Sequence, residues 1–292
     1  MSTALTNNDT ALLVGMKTNS NTALSETESV ISFKKLEKFL RPPTTDEIRI
    51  QKDSGYPSKA FANTTWKAVY AAVKAGYDKG QFKAYYEQRD PTKPCNFHVD
   101  VDDEAESEAS FDEEAYLNNI RKDFDAFGID EPWMLQNSCG ISSSGMYKVS
   151  YHLTIPAVRF ESHKHLKRWF LTHCTKTSRH GVNKNGKRTT TYLYHLGSTK
   201  IDMTVYSKGP WRFPMCVKEG SNRVLRYLDE PMTLEVFKRL SIHYIAPNAR
   251  TIQVELPKDT GRVGQKRCHV AGIGQALSEE EKKQFQLEGE FV

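Results

Sequence analysis

Asp100 and Asp102 stand two apart in Asn96-Phe-His-Val-Asp-Val-Asp102, where Phe97, Val99 and Val101 alternate with His98, Asp100 and Asp102. Alternation at period two marks a half-buried strand. Both carboxylates then leave one face, with their Cα atoms about 6.5–7 Å apart. A pair so placed can hold a divalent ion, or share two ions about 3.5–4 Å apart. Oxygen donors of this kind suit Mg²⁺ or Mn²⁺. A solvated strand face carries the same charges with no function.

A second segment, Ser142-Ser-Ser-Gly-Met-Tyr-Lys148-Val-Ser150-Tyr-His152-Leu, reads as a small flexible turn entering a strand. Lys148, Ser150 and His152 share one face of it. They offer an ammonium, a hydroxyl and an imidazole, all good donors to phosphate oxygens. An internally satisfied polar strand face is the other reading. Ser150 and His152 are not a nucleophile pair, because strand neighbours two apart seldom make that hydrogen bond and no strained elbow holds the serine. A third segment opens with Ile201-Asp202-Met203 and runs through Val205-Tyr206 to Trp211-Arg212-Phe213 and Lys218. An aspartate set among apolar residues on a strand needs a partner. A metal ion would supply one, with Arg212 and Lys218 facing phosphates; an aspartate–arginine structural ion pair is the alternative.

The elements that carry these residues follow from periodicity. Phe33, Leu36 and Leu40 predict a short amphipathic helix over 33–40, and Trp66, Tyr70 and Val73 predict another over about 64–78, ending near Gly80. Ala115, Ile120, Phe124 and Phe127 predict a helix over about 112–127. Residues 161–175 read as a basic amphipathic helix and 233–240 as a further helix. Strands are expected over 147–155 and near 190–196, 201–206 and 211–217, with a Gly- and Lys-rich turn over 183–188. Ser278 to Glu281 forms a capping box that opens a charged terminal helix. Residues 1–30 are rich in Ser, Thr and Asn, lack a lasting apolar period, and read as disordered. The mixture predicts an α+β (mixed α/β) fold. The expected organisation is a disordered segment over 1–32, a folded domain over 33–260, and a helical tail or linker over 261–292.

The chain has 292 residues, 38% hydrophobic and 26% charged, the composition of a soluble globular protein. That length allows one large domain or two small ones. No apolar run approaches the roughly 20 residues that span a bilayer. No basic flank leads into an apolar block, so neither a membrane partner nor a secretory signal is expected. Cys95, Cys139, Cys174, Cys216 and Cys268 are scattered, without a CxxC pair. They fit a reducing, cytoplasmic compartment rather than a disulfide framework. Net charge is +5, from 41 basic and 36 acidic residues. The mild excess is unevenly spread: Asp100 to Glu114 holds nine acidic residues and no Lys or Arg, whereas Arg159 to Arg188 holds nine basic residues and one acid, Glu161. Adjacent acidic and basic regions suit a protein that binds metal and polyanion side by side; two solvated faces are the plain alternative.

Asp100-x-Asp102, Ser150-x-His152 and Asp202, in that order, resemble the three motifs of the archaeo-eukaryotic primase superfamily, and of its primase-polymerase branch in particular. Tyr86-Glu87 precedes the first motif, and Trp211-Arg212-Phe213 and Lys218 follow the third, so the likeness spans about residues 80–220. The pattern is also similar to the primase part of the primase-helicases of large cytoplasmic DNA viruses. That likeness implies a viral replication site in host cytoplasm, with the nucleus left open. It implies a two-module core, an N-terminal α/β module packed on an RRM-like module, with the active site in the cleft. Asp100, Asp102 and Asp202 would hold the catalytic Mg²⁺ or Mn²⁺. Lys148, Ser150, His152, Arg212 and Lys218 would contact the incoming nucleoside triphosphate. Tyr86, with Tyr85 beside it, falls where some members place an aromatic residue near the sugar. The implied activity is that of a DNA primase or primase-polymerase making primers on single-stranded DNA during replication.

Gly209-Pro-Trp-Arg-Phe-Pro214 departs from the more polar run of the branch. No GxxxxGK(S/T) phosphate loop is present, so a helicase is either absent or lies beyond this chain. Lys164, Lys167, Arg168, Lys176, Arg179, Lys184, Lys187 and Arg188 are expected to track template phosphates. Trp169 and Tyr192 are expected in the core rather than stacked on bases. Superfamily members often carry a zinc-binding insertion between the second and third motifs, where His163, His165, His173, Cys174 and His180 fall. Without paired ligands at zinc spacing, zinc is not expected there, and His163 and His165 are read as surface residues of a basic helix. A metal-dependent nuclease and a non-catalytic single-strand-binding module are the alternative classes.

Overall fold

The computed structural model describes residues 31–257 apart from 35–39, 45, 54–58, 183–185, 187 and 207–208. The chain divides into two compact units, 1–255 and 256–292, and the architecture that follows is that of the first. The expected disordered segment over 1–30, the capping box at Ser278, and Lys184 and Lys187 lie outside the described residues.

The chain runs β1 (Glu47–Asp53), β2 (Lys59–Thr65), α1 (Trp66–Asp78), β3 (Tyr85–Glu87), β4 (Cys95–Ala105), α2 (Glu113–Ala126), β5 (Met134–Asn137) and β6 (Gly140–Ile141). It continues through β7 (Tyr147–Phe160), α3 (His163–His173), β8 (Thr175–Val182), β9 (Arg188–Leu196), β10 (Thr199–Ile201) and β11 (Trp211–Arg212) to β12 (Arg226–Tyr227), α4 (Leu234–Arg239) and β13 (Arg250–Thr251). The fold is mixed α+β, as expected. A four-stranded sheet has the order β11-β3-β1-β2, and a larger sheet the order β12-β5-β7-β4-β10-β9-β8. Pairing is antiparallel except where β13 adds to β7. No helix among the described residues is long and apolar enough to cross a membrane.

Local chemistry sets the helix starts. Thr65, Asp112 and Thr233 each accept a hydrogen bond from the amide three residues on, capping α1, α2 and α4. Glu113 and Glu114 add negative charge at the positive end of the α2 dipole. Each sheet has its own core. Against the small sheet, α1 and α4 bury Val69, Val73 and Phe237 with Ile50, Tyr85 and Phe213. Against the large sheet, α2 and α3 bury Phe124, Leu166, Trp169 and Phe170 with Phe97, Val99, Leu153 and Ile155. The Phe97 ring lies 5.4–6.2 Å from those of Phe124, Phe160, Trp169 and Phe170.

Three expected elements differ. Phe33 and Lys34 are not helical: Lys34 bridges Phe61 on the edge strand β2, where sheet hydrogen bonds outweigh a three-residue apolar pattern, and 35–39 lie outside the described residues. The strand over 201–206 stops at Ile201 and becomes a 3-10 turn, Met203–Tyr206. Asp202 starts that turn by accepting from Thr204 N at 2.8 Å and Thr204 Oγ at 2.7 Å, a local bond that competes with a strand ladder. The strand over 211–217 is only Trp211–Arg212, because Pro214 donates no ladder bond and Met215 sits at φ 62°.

The turn before β10 fixes the approach of Asp202. Asp123 Oδ2, on α2, accepts from the amides of Ser198 and Thr199 at 2.9 Å and from their hydroxyls at 2.8 and 2.7 Å. Gly197 sits at φ +61°, and a Cβ there would run into the Asp123 carboxylate. Asp123→Ala is therefore expected to cost about 1–3 kcal/mol through unpaired turn donors. Urea unfolding of wild type and variant checks this; an unchanged midpoint contradicts it.

Candidate active site

Strand register assembles the polar residues. β4 and β7 pair with Asp100 opposite His152, Asp102 opposite Ser150 and Glu104 opposite Lys148. Because side chains alternate, these six share one face of the sheet. β10 continues the sheet beyond β4, with Ile201 opposite Val101, and Asp202 N donates to Asp100 O at 2.9 Å. On the other flank β5 sets Gln136 opposite His152. The small sheet contributes β11: Trp211 packs against His152 with ring centroids 4.2 Å apart and the planes tilted by 35°. Arg212 Nη2 donates to Ser138 Oγ at 2.8 Å, and Ser138 Oγ donates in turn to Ser150 Oγ at 3.2 Å. Residues of both sheets thus converge on one place.

The electrostatics are those of a site short of positive charge. Burial, then the carboxylates of Asp102 and Asp202, holds the Asp100 carboxyl well above the usual carboxylate range. Arg212 and Lys148 pull the other way. Lys148 Nζ reaches Asp102 Oδ2 at 2.5 Å. His152 is kept neutral by burial, then by Arg212 and His98, so its Nε2, 3.7 Å from Asp100 Oδ1, brings no charge. Three crowded carboxylates with oxygen donors fit a hard divalent cation, which would remove the repulsion on Asp100.

Four buried polar atoms around His152 have no partner within the protein: His152 Nδ1, Gln136 Nε2 and Oε1, and Trp211 Nε1. An unpaired buried donor or acceptor costs about 1–3 kcal/mol, so their clustering beside the carboxylates marks a place built to meet a polar molecule. An open cleft of about 520 Å³, lined by Asn137, Ser138, Cys139, Arg223 and Arg226 among others, borders it.

Of the residues expected at the site, Asp100, Asp102, Asp202, Lys148, Ser150, His152 and Arg212 come together. Tyr86 is opposite Arg212 on β3, its hydroxyl raised above its ordinary range by burial and by Asp53, whereas Tyr85 turns into the small core. Lys218 is exposed, and its carbonyl accepts from Ser221 N within its own turn. Lys164 and Arg168 are exposed on α3 and Lys167 half-exposed, while Leu166, Trp169 and Phe170 bury the other face. Arg188 opens β9 in an exposed β8–β9 ribbon. Trp169 is in the core as expected, but Tyr192 is 46% exposed, because the ribbon extends past the core. His163 corrects the surface reading: it is 1% exposed, since the first turn of α3 packs onto β4, while His165 is partly buried.

Sequence reasoning missed Gln136, Ser138 and Arg223. Arg223 Nη1 donates to Ser138 O at 3.4 Å, and its carbonyl accepts from Arg212 Nη1. The only signal was the period-two placing of Met134 and Gln136 in a four-residue strand. A cluster of another kind, Cys95, His98 and His163, has donor atoms close enough together that it could hold a metal ion. No family model matches the chain, and no curated protein is similar to it in sequence.

Proposed function

We propose that the chain carries out template-directed nucleotidyl transfer, as a DNA primase or primase-polymerase acting on single-stranded DNA with nucleoside triphosphates. The observation that carries this reading is the convergence of three carboxylates with Lys148, Ser150 and His152 of the large sheet and Arg212 of the small one. The small sheet, bearing Tyr86 and Arg212, acts as one module and the large sheet as the other. Asp100, Asp102 and Asp202 hold Mg²⁺ or Mn²⁺, which when bound activates a 3′-hydroxyl and offsets charge at the α-phosphate and pyrophosphate. Lys148 and Arg212 bring positive charge to the triphosphate. Gln136, His152 and Trp211 satisfy their unpaired atoms on the nucleotide. Tyr86 flanks Arg212, where a sugar would lie. The protein supplies placement and charge rather than covalent chemistry.

Purified protein incubated with single-stranded template, Mg²⁺ or Mn²⁺ and labelled nucleotides is expected to give elongated product. Strand hydrolysis that needs no nucleotide would assign a nuclease instead.

The β8–β9 ribbon is the proposed template surface. Lys176, Arg179 and Arg188 lie on it, and Lys176 Nζ stands 3.9 Å from the Tyr192 ring centre. Cations interleaved with an exposed aromatic suit single strands. Each phosphate contact contributes about 0.7 to the slope of log affinity against log salt. Replacing all three with Ala is expected to flatten that slope by up to about 2, equally for different template sequences. A labelled single strand titrated at several salt concentrations checks this; an unchanged slope removes the ribbon from the binding surface.

A further inference from the structure

We propose that Cys95, His98 and His163 form a second metal site, for a thiolate-binding ion of the Zn²⁺ class, that pins the strand carrying Asp100 and Asp102 to helix α3. One donor atom from each residue lies within 4.8 Å of the others, and all three residues are buried. Positions three apart on a regular strand face opposite sides. Here Asn96 pairs with Arg159 and Phe97 with Ile155, so Pro156, Ala157 and Val158 have no partner on β4. The ladder is irregular at this point, and across it the donor atoms of Cys95 and His98 lie within 4.8 Å of each other.

Hydrogen bonding prepares both rings as ligands. His98 Nδ1 lies 2.9 Å from Asn96 O, which can only accept, so the proton is on Nδ1 and Nε2 carries the lone pair. His243 Nδ1 donates to Glu87 Oε1 at 2.6 Å, and Glu87 also accepts from Ser241 Oγ and Ile242 N. Asp90 N donates to His243 Nε2 at 3.5 Å, so that nitrogen accepts, and His163 Nε2, 3.3 Å from it, donates to it as well. That leaves the lone pair of His163 on Nδ1, a buried atom with no partner. Carboxylate-to-histidine chains of this type orient metal-ligating rings. Burial keeps both imidazoles neutral, the ligand form, with His98 pushed down to about 3. Burial pushes the Cys95 thiol up, Arg89 beside it pulls the other way and Glu87 adds to the rise, so the ion itself has to displace the thiol proton on binding. A tetrahedral ion with bonds of about 2.0–2.3 Å needs donors roughly 3.3–3.8 Å apart, so the side chains close in by about 1 Å. An open cleft of about 450 Å³, lined by Glu87, Arg89, Asp90 and His243 among others, reaches the residues that support the site rather than the three ligands themselves.

The site shares no ligand with the three aspartates, so it stands or falls apart from the nucleotidyl-transfer reading. Sulfur and nitrogen donors select against Mg²⁺. The test is titration of the full chain, stripped of metal by a chelator, with Co²⁺ as probe. A thiolate-to-cobalt charge-transfer band is expected, saturating at one equivalent and unmoved by excess Mg²⁺. Ions held by carboxylates alone give no such band. Cys95→Ser should abolish it, and Cys216→Ser, in the small-sheet core, should keep it. His163→Gln should weaken Co²⁺ binding at least about tenfold, which serves where Cys95→Ser does not fold. Wild type without the band, a band that survives Cys95→Ser, or unchanged affinity in His163→Gln overturns the proposal.

Discussion

Asp100→Asn is expected to abolish nucleotide incorporation, by about three orders of magnitude or more, while making the metal-free protein more stable. The first effect follows from the several kcal/mol a bound metal ion contributes to transition-state charge, at about 1.4 kcal/mol per factor of ten. Asp100 sits deeper than Asp102, with 14% of its side chain exposed against 33%. The second follows from its surroundings: burial and two neighbouring carboxylates hold its carboxyl well above the ordinary range. A carboxyl whose folded value is raised stabilises the fold below its unfolded value and loses that contribution as pH rises through the folded one. At neutral pH the wild type bears that loss and the asparagine does not. Melting curves without metal should place the variant above wild type, and Mg²⁺ or Mn²⁺ should raise wild type more than the variant. Asp102→Ala and Asp202→Ala should abolish incorporation likewise. Near-normal synthesis by Asp102→Ala with Mg²⁺ would remove the metal assignment.

His152→Ala and Arg212→Lys are expected to raise the dissociation constant for nucleoside triphosphate about 10- to 100-fold and to leave single-strand affinity within about twofold. Loss of a hydrogen bond to a charged group costs about 1.5–3 kcal/mol, which is that range. Lysine is the informative change at Arg212 because it keeps the charge and loses the planar fork. Arg212 is buried and holds Ser138, so alanine there would also disturb the Ser138–Ser150 contact. His152 packs against Trp211 and faces Asp100, neither of them on the ribbon. Fluorescent nucleotide binding and strand binding, measured on the same preparations, separate the effects. Loss of strand binding with unchanged nucleotide affinity contradicts the assignment.

The legible parts of the fold were those in which local pattern and tertiary demand agree. The alternation through Asp102 and through His152 marked β4 and β7, and their pairing placed the two motifs face to face, which period two alone could not do. The helices α1, α2, α3 and α4 were legible from apolar spacing and from caps such as Thr65 and Asp112. Asp202 was singled out, but its setting was not legible: a side-chain bond to Thr204 ended the strand. His163 was misread because a basic helix hides which of its polar residues the sheet will cover. Gln136, Ser138 and Arg223 were illegible because they reach the site from short strands and turns whose approach depends on tertiary pairing.

The central claim is that a template strand dictates which nucleotide this site joins. The most direct measurement offers the purified chain a homopolymer single strand, Mn²⁺ or Mg²⁺, and each labelled nucleotide in turn, without primer. A thymidine template should direct adenine nucleotides alone into product, and a cytidine template guanine nucleotides alone, with Asp100→Asn inactive on both. Product whose composition ignores the template, or no product from any pairing while the strand is cut, would contradict the account.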